Sequence, residues 1–171
     1  MSLNMAIIGP SDITAYERHG LSAIRMRQHL HALCNALLAD DPTNILTIVP
    51  YKGVAVEAAI AYRGLGGEVH GVFDDSLARS GNFAANKRYC LQLSKCPPGV
   101  IIDDYLVSRV DCLLALGISA GTMKELLANS GVRKPAFLFS ECVSCFPREL
   151  ADNLNVTLVD RAEDVALHAL R

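Results

Sequence analysis

The sequence has no tryptophan and few other aromatic residues, because tyrosine and phenylalanine together make up only 6% of its 171 residues. A buried core must therefore be aliphatic. The sequence also has no large excess of positive or negative charge, because its 16 basic and 18 acidic residues give a net charge of −2. Duplex-binding proteins usually carry a basic excess, so we expect no nucleic-acid partner. No apolar run reaches the roughly 18 residues of a membrane span, so we expect no membrane partner.

The beginning of the sequence shows no secretory signal pattern, and the six cysteines are irregularly spaced. Such thiols are most simply reduced, so we expect a cytoplasmic protein. Cys142 and Cys145 alone have the C-x-x-C spacing of a metal or redox pair, and no second pair accompanies them. We therefore expect no metal and no cofactor, and we retain a redox or metal role for these two thiols as the weakest alternative.

Short aliphatic runs alternate with segments of helical periodicity. Runs of this length that are apolar on both faces are typical of strands in parallel sheets, which are buried on both sides. The six clear runs are Met5–Ile8, Ile45–Val49, Glu68–Phe73, Cys112–Leu116, Pro135–Phe139 and Val156–Val159, and Gly99–Ile102 is a weaker seventh. The pattern predicts one α/β domain over residues 1–171, with a mostly parallel sheet of about six or seven strands flanked by helices.

Capping and stop residues divide the intervening segments into helices. The predicted helices run from Ser22 to about Leu38, from Val54 to Leu65 and from Thr122 to Asn129, with a short helix opening at Pro147 and a last one at an Asp160–Glu163 capping box. The Val54–Leu65 helix has small apolar residues on almost every face, as in helices buried on both sides. Because a sheet covers one side only, we expect the other side to meet a second copy of the chain, in a homodimer or larger homo-oligomer.

Glycine-containing loops follow three of the predicted strands, at the edge where open parallel sheets bind ligands. These loops are Gly9-Pro10-Ser11, Pro50-Tyr51-Lys52-Gly53 and Gly117-Ile118-Ser119-Ala120-Gly121-Thr122. The last two open helices, and the free amides and partial positive charge of a helix N-terminus suit an anion. Glycines also make tight turns without any ligand, and the spacing leaves both interpretations open. No G-x-G-x-x-G motif follows the first strand, which disfavours a dinucleotide-dependent oxidoreductase.

Two stretches of the sequence resemble the Lonely guy family of Rossmann-like nucleotide-binding proteins. GVAVEAAIAYRGLGGEVHGVF, over Gly53–Phe73, is similar to that family's glycine-rich turn, helix, Gly-Gly stop and strand. DCLLALGISAGTMKEL, over Asp111–Leu126, is similar to the segment with the family's PGGxGTxxE motif and matches it at Gly121, Thr122 and Glu125. The resemblance implies a Rossmann-like fold. It also implies either a nucleoside 5′-monophosphate phosphoribohydrolase or a noncatalytic sensor or carrier built on the same scaffold.

The resemblance also implies the residues of a site. The candidate ligand- or phosphate-binding residues are Gly9, Ser11, Lys52, Gly53, Gly117, Ser119, Gly121 and Thr122. Glu125 is the candidate catalytic residue, which would contact the ribose of a nucleotide. Each has a structural alternative: the glycines as turn residues, Ser119 as a helix cap, and Glu125 as an ordinary acid near a helix N-terminus.

The sequence departs from the family motif where a phosphate would bind. Gly117-Ile118-Ser119 stands for PGG, and Ile102 and Asp103 occupy the positions of the Arg-Lys pair that anchors the phosphate. The basic residues considered as replacements are Lys87, Arg88 and Arg109. These departures favour a noncatalytic protein that binds a nucleotide or another phosphorylated ligand. Hydrolysis of the N-glycosidic bond of a nucleoside monophosphate remains the alternative.

Overall fold

The computed structural model describes residues 2–18 and 21–165. Within them, seven strands form one sheet in the order β4-β3-β2-β1-β5-β6-β7, and every neighbouring pair is parallel. The strands are β1 (Asn4–Ile8), β2 (Ile45–Ile48), β3 (Glu68–Phe73), β4 (Gln92–Lys95), β5 (Cys112–Ala115), β6 (Ala136–Phe139) and β7 (Val156–Val159). The predicted α/β fold with a parallel sheet is therefore confirmed.

Helices cover both faces of the sheet. They are α1 (Thr14–Arg18), α2 (Ala23–Asp40), α3 (Val54–Gly64), α4 (Asp75–Ala78), α5 (Gly81–Asn86), α6 (Ile102–Arg109), α7 (Ala120–Val132) and α8 (Arg148–Leu154). Met5 and Ile7 of β1 face a core that α1, α2 and α3 complete, whereas Ala6 and Ile8 face a second core with α6, α7 and α8. In the described ranges, no helix is both long enough and apolar enough to span a bilayer.

One predicted strand is wrong. Gly99–Ile102 does not form a strand, because Gly99 has a positive φ of 80° and Ile102 begins α6. The seventh strand is β4, which lies at one edge of the sheet and has largely exposed side chains. Its sequence, QLSK, contains no buried apolar run, and that run was the pattern from which the other strands were predicted.

Several helix ends differ from the prediction, including the start of α7, which is Ala120 and not Thr122. α7 continues past Ser130-Gly131 to Val132, because Arg133 adopts the left-handed conformation that ends the helix, with φ of 55°. The capping box predicted at Asp160–Glu163 lies one residue later: the Asp164 carboxylate accepts a hydrogen bond from the Arg161 N–H, ahead of a short 3₁₀ turn. The remainder of the helix predicted there lies outside the described residues.

Helix α3 is buried on both sides, as predicted, but α2 covers its outer side. Arg27 of α2 donates to the Glu57 carboxylate of α3 through Nε at 2.8 Å and Nη2 at 3.0 Å. The inference that α3 needs a second chain to cover it is therefore wrong, because a helix of the same chain does so. The homo-oligomer itself stays a prediction.

Candidate functional site

The three predicted loops meet at the carboxyl edge of the sheet. The chain builds β1 to β4 in one direction and then returns to place β5 on the other side of β1. Ligands of such sheets bind where the strand order reverses, beyond the carboxyl ends of the strands. Here that point lies between the loop that follows β1 and the turn that follows β5.

Three glycines in these loops are required by close packing. A Cβ on Gly53, where φ is 76°, would lie 2.3 Å from the Pro10 carbonyl oxygen. A Cβ on Gly9 would lie 2.8 Å from the Leu116 carbonyl oxygen, and Gly117 has φ of 103°. The structure therefore gives each of them a role in packing, while a role in ligand binding stays a prediction.

Tyr16 of α1 packs against the turn that follows β5, at the point where the strand order reverses. Its side chain is buried, and its hydroxyl donates a hydrogen bond to the Leu116 carbonyl oxygen. A Cβ on Gly117 would lie 2.5 Å from that hydroxyl oxygen, so the ring sits directly over the turn. Burial raises the pKa of Tyr16, and nearby Cys142 and Glu57 raise it further, so the hydroxyl stays neutral. Tyr16 therefore leaves no space for a ligand at Gly117, and the solvent-exposed part of the site is the start of α7.

The N-terminus of α7 presents open hydrogen-bond donors. Ser119 caps the helix, with its Oγ accepting from the Thr122 N–H at 3.2 Å and lying 3.0 Å from the Thr122 hydroxyl. The main-chain N–H groups of Ala120 and Gly121 have no acceptor among the described residues, and both residues are exposed. A Cβ on Gly121 would meet only the Ser119 Oγ, at 3.7 Å. Two amides thus face solvent at the positive end of a 13-residue helix.

The N-terminus of α3 is different, because the loop after β1 covers it. The Val54 N–H, first in the helix, donates to the Pro10 carbonyl oxygen at 3.1 Å. Ser11 is exposed, but its backbone lies against Gly53. Lys52 is also exposed, with its Nζ 5.4 Å from the centre of the Tyr51 ring. The structure thus brings the predicted residues to one edge but leaves the start of α7 as the more open of the two helix termini.

A pair of carboxyl groups lies beside this terminus. Asp103 is in the first turn of α6 and Glu125 is in the second turn of α7, and both are half-buried. Burial, and then the nearby charge of Asp103, raises the pKa of Glu125 to about 8. Burial also raises the pKa of Asp103, although Lys124 opposes that shift. Glu125 therefore holds a proton at neutral pH and is able both to donate and to accept a hydrogen bond.

A cleft of about 380 Å³ lies between the loops that follow β2 and β3 and the first residue of α6. Its lining residues are Val49, Tyr51, Asp74, Ser76, Leu77, Ser80 and Ile102. Ile102 precedes Asp103, so the first turn of α6 joins the cleft to the carboxyl pair. The Asp74 carboxylate accepts from the Leu77 N–H at 2.6 Å and caps α4. The cleft therefore combines apolar walls with a few polar groups, which is typical of small-molecule sites.

The basic residues considered as phosphate anchors do not all reach this edge. The Arg109 carbonyl oxygen accepts from the Asn4 side chain at 2.7 Å, which places Arg109 at the amino end of the sheet. Arg88 donates to the Tyr89 hydroxyl at 2.8 Å and packs on that ring. The cation that lies beside the carboxyl pair is Lys124, which the sequence analysis missed. Its position, one turn after Ala120 on the same helix, is the signal that would have found it.

The sequence matches no protein-family model and no curated protein. Solved structures nevertheless match along nearly the whole chain. The molybdenum cofactor carrier protein of Chlamydomonas reinhardtii gives a TM-score of 0.74 at 16% identity, over 99% of this chain and 98% of that one. The molybdenum cofactor binding protein of the bacterium Rippkaea orientalis gives 0.73 at 16% identity, over 99% and 96%.

The fold is that of these carrier proteins. DNA processing protein A from Helicobacter pylori also matches, with a TM-score of 0.66 at 12% identity, over 98% of this chain and 80% of that one. At such identities the likeness is one of fold. The Rossmann-like architecture implied by the resemblance to the Lonely guy family is thereby confirmed, and the fold alone decides neither ligand nor activity.

Proposed function

We propose that this protein binds a small phosphorylated ligand with a ring, such as a nucleotide or the molybdenum cofactor, and does not cleave it. The observation that carries the proposal is the pair of unpartnered amides at Ala120 and Gly121, at the carboxyl edge where such folds bind ligands. The carboxyl pair and the cleft follow strands at the same edge of the sheet, and we assign all three features to one site.

Each part of the site suits one part of such a ligand. The phosphate would bind the amides and the hydroxyls of Ser119 and Thr122, at the positive end of α7. The ring would enter the cleft of about 380 Å³ and contact its apolar wall. Ligand hydroxyl or amino groups would donate to Asp103 and Glu125, which are otherwise costly to bury without partners.

The absence of cleavage is inferred from the charge beside the phosphate position. The resemblance places a basic pair where this chain has Ile102 and Asp103. Without that pair, these two positions supply no positive charge to stabilise the transition state of cleavage, and such electrostatic stabilisation is usually the largest contribution to catalysis. The carrier proteins with the same fold favour a binding role by analogy.

One observation favours the phosphoribohydrolase as a second candidate. Burial raises the pKa of Glu125 to about 8, so a protonated carboxyl is present at neutral pH. Such a group is suited to protonate a departing base as a general acid. The second candidate therefore assigns Glu125 a catalytic role, whereas the first assigns it to ligand binding.

A calorimetric comparison of adenosine monophosphate with adenosine tests the proposal. We expect the monophosphate to bind at least tenfold more tightly, because adenosine lacks the group that meets the α7 amides. The molybdenum cofactor is the second ligand to titrate. Equal affinity for adenosine and its monophosphate would contradict the phosphate site.

Chromatography of the same mixtures separates binding from hydrolysis. We expect no free adenine to form from the monophosphate. Release of adenine that disappears in Glu125→Ala would instead establish the second candidate.

We further propose that the protein is a cytoplasmic homodimer. Two large apolar side chains on the outer helix layer are exposed, Ile24 of α2 at 69% and Ile60 of α3 at 46%. We assign these two side chains to the interface, because burial of apolar surface favours association. Light scattering at micromolar concentration should give twice the mass of 18.4 kDa. A monomer mass would contradict the dimer and leave the ligand site unaffected.

A further inference from the structure

A second, smaller cleft beside the turn after β5 is lined by two thiols. Its volume is about 180 Å³, and its lining residues are Leu21, Ile118, Cys142, Val143, Ser144 and Cys145. We propose that Cys142 and Cys145 together bind one monovalent soft metal ion, Cu(I), in this cleft. The two proposed ligands are not among the residues assigned above to the phosphorylated ligand, so variants of these thiols leave the residues of that site unchanged.

The two thiols lie immediately before and in the middle of a segment without helix or strand. Cys142 ends a 3₁₀ turn and is 2% exposed, whereas Cys145 is exposed, and both are free thiols. Residues 143–147 have no helix or strand. Bringing the two sulfur atoms onto one ion therefore needs rotation of an exposed side chain over irregular backbone, and no ladder of hydrogen bonds has to break.

The donor set selects the ion. Thiolate ligands favour Cu(I), zinc and iron–sulfur clusters. A structural zinc site needs four ligands, and besides the two thiols this cleft offers one hydroxyl, on Ser144, among apolar side chains. In residues 2–18 and 21–165, no group of three or more His, Cys, Asp or Glu is placed to hold a metal. Two thiolates are sufficient for a linear Cu(I) complex.

The surroundings of the two thiols include the positive end of a helix and one carboxylate. Each thiol loses one proton and each sulfur forms one bond to the ion, so two thiols and Cu(I) give a complex of charge −1 and two released protons. Ile118 lines the cleft and lies two residues before α7 begins, so the positive end of that helix is adjacent. Burial, and then the nearby charge of Glu141, raises the pKa of the Cys142 thiol to about 12, so the ion has to displace a proton from this thiol.

The test is an oxygen-free titration of the reduced chain against the coloured Cu(I)–bicinchoninate complex. We expect the protein to withdraw one Cu(I) per chain, and we expect Cys145→Ser to lower the affinity at least tenfold. Cys90→Ser is the matched control, because Cys90 is a half-buried thiol that does not line the cleft, and it should behave as wild type. Cys145 is exposed, so its variant should fold and be decisive even if Cys142→Ser does not.

X-ray absorption of the loaded protein supplies the second measurement. We expect two sulfur neighbours around copper and no light-atom ligand. The proposal is overturned if the wild type withdraws no Cu(I), if Cys145→Ser binds as tightly as wild type, or if copper has fewer than two sulfur neighbours. Binding of adenosine monophosphate is measured separately, so its failure and the failure of the copper site are distinguishable.

Discussion

Helices α3 and α7 begin in similar ways in the sequence, but the hydrogen bonds at their N-termini differ. Each follows a buried strand and a glycine with positive φ, Gly53 at 76° and Gly117 at 103°. At α3 the first amide donates to the Pro10 carbonyl oxygen. At α7 the cap is a side chain, Ser119, and the amides of Ala120 and Gly121 remain open. A glycine turn before a helix therefore indicates an anion site only when no other loop covers the helix start.

The loop after β1 decides which of the two termini is covered. Pro10 and Ser11 lie against Gly53, while Tyr16 and the Pro10 ring lie against Gly117. We therefore expect the covered terminus to contribute stability, and we propose the open one for ligand binding. Substitutions at the two termini should therefore separate stability from binding.

The largest effect is expected at the covered terminus. Gly53→Ala would place a Cβ 2.3 Å from the Pro10 carbonyl oxygen at a φ that side chains rarely adopt. Strain and overpacking together should lower the free energy of unfolding by about 3 kcal/mol. Urea denaturation measures it, with Gly121→Ala as the control, since a Cβ there meets no atom closer than 3.7 Å. A Gly53→Ala variant as stable as the control would show that the loop does not pack as described.

A smaller loss of stability is expected when the hydroxyl of Tyr16 is removed. Tyr16→Phe removes the donor to the buried Leu116 carbonyl oxygen and leaves that group without its side-chain partner. We expect a loss of about 2 kcal/mol in the free energy of unfolding. Tyr51→Phe is the matched control, because Tyr51 is 36% exposed and should change stability by less than about 0.5 kcal/mol. Similar losses in both variants would argue against a specific role for the Tyr16 hydroxyl.

The change in stability expected at the carboxyl pair depends on pH. The pKa of Glu125 is raised from 4.5 to about 8 in the fold, so the folded state binds more protons than the unfolded state in that interval. The stability of the wild type should therefore fall as pH rises from 4.5 to 8. Glu125→Gln should remove this dependence and be more stable than wild type at pH 8 by at least about 1 kcal/mol.

Urea denaturation at several pH values measures how the free energy of unfolding depends on Glu125. Glu149→Gln, on the exposed surface of α8, is the control and should retain the wild-type profile. A Glu125→Gln profile that still falls between pH 4.5 and 8 would show that another group is responsible.

Most of the sheet could be predicted from the sequence because its strands are buried on both faces. β3 and β7 have their predicted bounds, and four other strands differ by one residue at one end. β4 was missed because an edge strand with exposed side chains has no such apolar pattern. The end of α7 was misplaced because Arg133, and not a glycine, adopts the left-handed conformation.

The site was predictable in position but not in detail. Strand ends and helix starts indicated the correct edge of the sheet, because parallel strands bring their following loops together. The sequence did not reveal that Tyr16 would cover Gly117, since the contact joins residues 101 positions apart in the chain. The resemblance drew attention to Asp103 only as a departure, whereas its effect on Glu125 depends on the packing of α6 against α7.

The central claim, that the open start of α7 binds the phosphate of a ligand, is tested most directly by calorimetry on two valine variants of that helix. Gly121→Val fills the space in front of the open amides, whereas Gly131→Val lies at the far end of α7, where a Cβ meets no atom within 4 Å. We predict that Gly121→Val loses at least tenfold in affinity for adenosine monophosphate, about 1.4 kcal/mol, while Gly131→Val binds as wild type does. Unchanged affinity in a folded Gly121→Val variant would contradict the account.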